Sequence, residues 1–349
     1  MQNTNPENKI IWIDNLRVVA TIAVILLHIS SSPLPQFGAI SPFSWWVGNI
    51  YDSTVRFCVP VFVMITGALL LPQKYEINYF LKKKLLRLIL PLAFWSFIYI
   101  TFSLSVKYIH GERIAFLEIV QYIFVSIQKG SSYHFWYIYM IIGIYLFIPI
   151  IGKWAQNCLD KEILYFLAIW LFTIFLNQPI ISKFKPGIDF TYFTGYLGYL
   201  ILGYYLSRKS FNNQVKASII SIIIIALGIV ITILGTYIGS NHKGAFYDPF
   251  YNYLSPNVLI VSIGVFILFK NEYNYNTKYF KISNFISRYS YGIYLVHIIV
   301  ISLLYKLGLY WNSLNPIIGI PLTTVLCLVI SGGIIYLINK LPFGKYISG

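Results

Sequence analysis

Residues 12–29 read WIDNLRVVATIAVILLHI. The run is apolar enough to cross a bilayer, yet it carries Asp14, Arg17 and His28. An arginine near a bilayer centre costs roughly 2.5–3.5 kcal/mol even on mild insertion scales. Such residues persist in spans where they face a protein interior or a water-filled path. Eleven helical steps of ~100° make three turns plus ~20°, so Arg17 and His28 share one face, about 16 Å apart. Asp14, three residues before Arg17, is placed to pair with the guanidinium. Snorkelling to nearby headgroups accounts for Arg17 alone. It does not account for His28, which is deeper; the bland role for that residue is a hydrogen bond to a neighbouring helix. A carboxylate, a fixed cation and a titratable imidazole on one line predict a site.

The rest of the chain fits a membrane setting. Of 349 residues, 58% are hydrophobic and 11% charged, and mean hydropathy is +0.70, which places the chain among integral membrane proteins. The expected fold is all-α, with about ten transmembrane helices at 11–31, 45–71, 87–106, 134–152, 162–178, 190–207, 217–238, 254–270, 289–308 and 316–338. Residues 1–349 read as a single transmembrane domain with no appended soluble domain. Segment 116–128 is shorter and amphipathic, which fits an interfacial helix. The first span is not expected to be a cleaved signal peptide, because Ser30-Ser31-Ser32-Pro33 is a weak cleavage context.

The net charge of +15 does not point to nucleic acid, because the basic residues cluster in short loops between apolar runs. With the N-terminus in the cytoplasm, 18 of the 26 Lys and Arg residues fall on the inner side. Seven fall outside (Lys107, Arg113, Lys129, Lys183, Lys185, Lys243, Lys306), and Arg56 lies within a span. That bias predicts both termini inside and an even number of spans. Cys58, Cys158 and Cys327 are far apart, so neither a disulfide framework nor a metal site is expected. No internal repeat of broken helices appears, which weighs against a secondary transporter.

Four further stretches carry candidate chemistry. In YDSTVRFCVPVFVMITGALLL (51–71), Arg56 lies near mid-membrane with Asp52 four residues earlier. The pair is either structural glue or part of a polar cavity in which the guanidinium faces an anion or a carbonyl oxygen. In KYEINYFLKKKLLRLILP (74–91), most basic residues fit positive-inside topology and anionic lipid. Lys84 and Arg87, three apart at the start of a span, are placed to clamp a phosphate. In SSYHFWYIYMIIGIYLFIP (131–149), the aromatics make an interfacial belt. His134 and Trp136 at an outer mouth also suit a sugar ring. In SRYSYGIYLVHIIVI (287–301), Tyr291, Tyr294 and His297 share a helical face, either for interhelical hydrogen bonds or for substrate. His110 and His242 carry no assignment. No Walker loop, dinucleotide fingerprint, zincin motif or nucleophile elbow is present.

These stretches together resemble the membrane-bound acyltransferase 3 family. WIDNLRVVATIAVILLH resembles its opening, where Arg or Lys is followed by ten residues and then His. RFCVPVFVMITGALLL resembles its Arg-x-x-VPxFFxxSG stretch, with Val63 where an aromatic is usual and Thr66 in place of Ser. YHFWYIYMIIGIYLFIP resembles its His-Leu-Trp-Phe-Leu stretch, and SYGIYLVH its Ser-Tyr-x-x-Tyr-x-x-His stretch. The order holds over about 10–340, and within the family WIDNLR and the compact length look most like the enterobacterial common antigen O-acetyltransferase branch.

The resemblance implies a multi-pass protein of the bacterial cytoplasmic membrane. It would be an acyl-CoA-dependent O-acyltransferase, moving acetyl from cytoplasmic acetyl-CoA to a hydroxyl of a surface glycan or its lipid-linked precursor. Expected partners are acyl-CoA, that acceptor and membrane lipids, with no nucleic acid and no metal; a homo-oligomer is left open. Asp14, Arg17, Lys84 and Arg87 would hold the donor. Lys84 departs from the family's inner Arg-x-x-Arg, keeping the charge but not bidentate geometry. His28 would be general base or nucleophile, and Arg56 would face the oxyanion. His134, Trp136, Tyr294 and His297 would bind the acceptor. An extended pantetheine arm, on the order of 15–20 Å, is close to the Arg17–His28 rise. The rival from another class is an exporter of a polysaccharide or small molecule, with the same polar residues lining its path.

Overall fold

The apolar runs form helices, because in lipid a backbone has to satisfy its own hydrogen bonds. The computed structural model describes residues 11–112, 114–179, 181–182, 195–271 and 280–349. In chain order the helices are α1 (Ile11–Ser30), α2 (Pro42–Val55), α3 (Cys58–Leu70), the single turn α4 (Ile77–Phe80), α5 (Leu86–Ile109), α6 (Phe116–Lys129) and α7 (Trp136–Asn157). Then follow α8 (Asp160–Leu176), α9 (Leu197–Arg208), α10 (Gln214–Lys243), α11 (Pro256–Asn271), α12 (Phe280–Lys306), α13 (Pro316–Lys340) and the short α14 (Gly344–Ile347). Among the described residues there is no strand. Among the described residues eight helical stretches are long and apolar enough to cross a membrane, so the chain is a multi-pass membrane protein. The other two expected spans are α8, of 17 residues, and α9, of 12, both short of the ~20 a bilayer requires. Lys9, Arg113, Lys183, Lys185, Lys278 and the first residues of the expected span 190–207 lie outside the described residues.

The expected span 45–71 is two helices. Pro60 has no N–H to give the carbonyl of Arg56, four residues earlier. The helix accordingly ends at Val55 and restarts at Cys58, which leaves Arg56 at a break. Segment 116–128 does form a helix, in which Ser126 is the one buried residue. It stops at Gly130, whose φ of 100° is a conformation that favours glycine and turns the chain into α7. At the start of α8, Lys209 Nζ bonds Asp160 Oδ2 at 2.5 Å. The ammonium holds that carboxyl below the usual carboxylate range, although an exposed pair of this kind contributes little to stability.

Helix α1 is the hub, packed against α2, α3, α11, α12 and α13. Its polar residues therefore face protein. It runs parallel to α12: Arg17 meets Ser287, His28 meets His297 and Ser32 meets Tyr305. Helices α3 and α9 approach backbone to backbone. A Cβ on Gly67 would lie 1.8 Å from the Leu200 carbonyl oxygen, and one on Gly203 would lie 2.1 Å from that of Met64. Backbone on both sides cannot yield as a side chain can. Gly203→Ala is expected to cost about 3 kcal/mol or more, at or beyond the top of the overpacking range. Gly333→Ala, which meets nothing within 4 Å, is the control. Thermal unfolding in detergent checks the pair; equal melting temperatures would refute the tight α3–α9 seam.

Candidate functional site

Asp14 lies in the first turn of α1, where a carboxylate suits the helix dipole. Arg17 Nη1 donates to Asp14 Oδ1 at 3.0 Å and to Ser287 Oγ at 3.0 Å. Ser287 in turn donates to Asp14 Oδ1 at 2.6 Å, closing a three-membered cluster across α1 and α12. Arg17 keeps a quarter of its side chain exposed. It lines a cavity of about 200 Å³ that runs past Thr66, Tyr145 and Tyr291 to Tyr137 and Tyr294. This inner cavity thus begins at the cation and ends one helical turn short of His297.

At that level three imidazoles converge. The ring of His297 lies 5.1 Å from His28 and 5.0 Å from His134, and His28 and His134 are 6.4 Å apart. His134 and His297 are buried and His28 is half-buried. Each ring has one flank held. His28 Nδ1 lies 3.4 Å from the Tyr133 hydroxyl, and His134 Nδ1 lies 2.9 Å from Ser132 Oγ. His297 Nδ1 lies 2.5 Å from the Tyr294 carbonyl oxygen. A carbonyl only accepts, so His297 Nδ1 carries the hydrogen and Nε2 the lone pair. The Nε2 atoms of His134 and His297 are buried with no hydrogen-bond partner. Such orphans are rare in folded proteins and call for a reason.

On the far side of the histidines, the break between α2 and α3 presents Arg56. Its Nε donates to Asp52 Oδ1, and Asp52 is wholly buried. The guanidinium lies 4.2 Å over the Tyr251 ring, a cation–π contact, and lines a cavity of about 990 Å³. Trp136, Tyr196, Phe246, Tyr251 and Tyr253 form the aromatic part of its wall, and Gln178 and Asp248 are among the polar part. Trp136 and Tyr253 stack with centroids 5.7 Å apart and planes at 24°. Arg56 is within electrostatic reach of His28. The two cavities approach each other at adjacent residues, Tyr137 lining one and Trp136 the other.

The expected site residues therefore separate into four groups. Asp14 pairs with Arg17 as the spacing required. Trp136 does line the large cavity beside Arg56. His134 does not: the 3-10 turn Tyr133–Phe135 directs it inward, to the cluster with His28 and His297. Tyr294 lines the inner cavity, and its hydroxyl donates to the His134 carbonyl. Lys84 and Arg87 do not sit on one regular helical face. Lys84 lies in a π-helical turn, Leu81–Leu85, and is half-buried, whereas Arg87 opens α5 and is exposed. They remain within electrostatic reach of each other. Lys84 Nζ lies 5.9 Å from the Tyr75 ring, and Tyr75, Phe80 and Tyr145 form an aromatic row, T-shaped then tilted, leading to the inner cavity. Sequence reasoning did not single out Tyr251, Tyr253 or Ser287; the crowded aromatics of YDPFYNYLSP (247–256) were the available signal for the first two. Among the described residues no group of three or more His, Cys, Asp or Glu side chains is arranged to hold a metal ion.

A family model described as an acyltransferase domain matches residues 10–336. A Bacillus subtilis (strain 168) protein named "Putative membrane-bound acyltransferase YfiQ" is 24% identical over 353 residues, which cover 96% of this chain and 92% of that protein. No solved structure matches the chain.

Proposed function

Given that the chain belongs to the acyltransferase 3 family, with the domain over residues 10–336, we propose that it moves an acetyl group from acetyl-CoA to a hydroxyl of a surface glycan or its lipid-linked precursor. The observation that carries this reading is the pair of cavities. One runs from Arg17 to Tyr137 and Tyr294, and the other opens at Arg56 and Trp136; the histidines line neither, but His297 lies 5.5 Å ring to ring from Tyr294 and His134 is two residues from Trp136. Donor phosphates sit against Arg17, Lys84 and Arg87 on the cytoplasmic side of a bacterial inner membrane. Asp14 and Ser287 hold the Arg17 guanidinium in place for them. The pantetheine arm follows the inner cavity toward Tyr294. The acceptor sugar packs its C–H face on Trp136 and Tyr253 in the outer cavity, whose size admits more than one ring. The likeness of WIDNLR to the enterobacterial common antigen branch is the sequence ground for a repeating surface polysaccharide as acceptor.

The chemistry then follows from charge and reach. His28 takes the proton of the acceptor hydroxyl as its oxygen bonds to the thioester carbonyl carbon. The oxyanion that develops faces the Arg56 guanidinium, which is held by Asp52 in advance and needs no reorganisation. The C–S bond breaks, and CoA leaves as the acetyl ester forms.

Donor binding separates this function from export. Acetyl-CoA is expected to raise the melting temperature of the purified protein, because a ligand that binds only the folded state stabilises it. A pure exporter would ignore the compound. Arg17→Gln is expected to weaken that stabilisation by about tenfold in apparent affinity, corresponding to loss of one charged hydrogen-bonding contact. No shift with the wild type at millimolar acetyl-CoA would argue for the exporter.

A further inference from the structure

Acyl transfer from a thioester to an alcohol moves one proton as well as the acyl group. The hydroxyl loses it and the departing thiolate gains it. In this chain those two events fall on opposite sides of the imidazole cluster. The acceptor cavity opens at Arg56 and Trp136, and the inner cavity closes at Tyr137 and Tyr294. His28 is within electrostatic reach of Arg56, whereas a sulfur arriving beside Tyr294 lies toward His297, so a group there would have to carry the proton across.

His297 stands between the two. On the parallel α1–α12 pair it is level with His28, 5.1 Å away ring to ring, a spacing at which facing imidazole nitrogens can hydrogen-bond. One turn back along α12, toward Arg17, is Tyr294, which lines the inner cavity and lies 5.5 Å from the His297 ring. The bond from Nδ1 to the Tyr294 carbonyl leaves Nε2 as the basic nitrogen. That atom is fully buried and unpartnered, which is costly unless a proton or a hydrogen bond arrives there during turnover. Around the ring stand His28, His134, Tyr294 and Cys327, whose thiol meets the His297 carbonyl. None of these is a carboxylate that would hold a permanent charge on His297. His134 is the weaker candidate: its serine partner permits either tautomer, and it is 6.4 Å from His28.

We propose that His297 is the general acid for the leaving sulfur, relaying to it the proton that His28 takes from the acceptor. The hydroxyl proton passes to His28 as the O–C bond forms. His28 passes a proton to His297 Nε2, and His297 delivers it to sulfur as the C–S bond breaks. Both imidazoles end neutral, and one CoA thiol is released for each ester made. This inference rests on the acyltransferase reading above.

The test compares donors that differ in their need for that proton. Envelope membranes holding the native acceptor are prepared from host cells expressing wild type, His297→Gln or no copy of the protein. Labelled acetyl incorporation is measured from acetyl-CoA and from 4-nitrophenyl acetate, whose phenolate is a weak base and leaves without a proton. His297→Gln is expected to lower transfer from acetyl-CoA by ~10²–10³-fold, with KM for acetyl-CoA little changed. Transfer from 4-nitrophenyl acetate should fall less than about tenfold, because only the unassisted leaving step is spared. An equal loss with both donors, or no loss with acetyl-CoA, overturns the relay. Wild-type membranes inert to acetyl-CoA would sink the acyltransferase reading itself and the relay with it. Should His297→Gln fail to fold, the wild type still decides: two protons in flight give a bowed dependence of rate on the fraction of D2O, and a straight line overturns the relay.

Discussion

His28→Ala is expected to lower acetyl transfer by ~10³-fold, within the range for removing a positioned general base, while leaving the protein folded. The second half of that expectation comes from how α1 is held. Its two ends are fastened to α12 independently of the imidazole, by Arg17 to Ser287 at one end and Ser32 to Tyr305 at the other. The bonds from Ser31 and Ser32 near His28 reach its backbone carbonyl, not its ring. What alanine removes is a half-buried ring with one long hydrogen-bond contact, to Tyr133, and ring contacts to His134 and His297. The melting temperature, and its rise with acetyl-CoA, should therefore stay close to wild type while incorporation of labelled acetyl collapses. Turnover near the wild-type rate would sink the mechanism.

The second large effect belongs to Arg56, where stability and chemistry are entangled and have to be pulled apart. Arg56→Met strands Asp52, which is wholly buried and already has one carboxylate oxygen without a partner. Breaking a buried pair from one side typically costs 3–5 kcal/mol, about half of a domain's net stability. Loss of an oxyanion-stabilising group costs a further ~10²–10³ in rate. The double variant Asp52→Asn with Arg56→Met separates the two. It should recover most of the stability, because no buried charge is stranded, and recover none of the rate. Stability is read from thermal melts, and rate from acetyl incorporation per folded protein. If the double variant transfers acetyl as well as wild type, Arg56 is a strut between α2 and the Tyr251–Tyr253 segment before α11 and not part of the reaction.

The site was legible where it depends on one helix and obscure where it depends on two. Spacing alone put Arg17 and His28 on a single face and Asp14 beside Arg17, and the structure has both. Ser287, which completes the Arg17 cluster, is 270 residues away, and no periodicity within a segment says which helices become neighbours. His134 was misplaced for a related reason. The aromatic belt around it is the same whether its ring faces lipid or core, and a three-residue 3-10 turn made the choice. The break at Arg56 was written in Pro60, because a missing N–H is a local fact. The shortness of α9 was not. Seven consecutive residues, Gly198–Tyr204, are buried in protein, so this apolar run packs against other helices rather than facing lipid.

The parallel seam between α1 and α12 also sets a schedule. Its partners are separated by 270 residues of chain. At a synthesis rate of about 5–20 residues per second, α1 waits on the order of 15–50 s before α12 exists to receive it. Through that interval Arg17 has Asp14 but not Ser287, and His28 has His134 within reach but not His297. The candidate site is thus among the last parts of the molecule to be assembled, and a ribosome that stalls before residue 287 leaves a membrane-inserted chain whose Arg17 and His28 lack their α12 partners. Nascent chains of this protein would be most exposed to membrane quality control early in life, and least once the twelfth helix has docked.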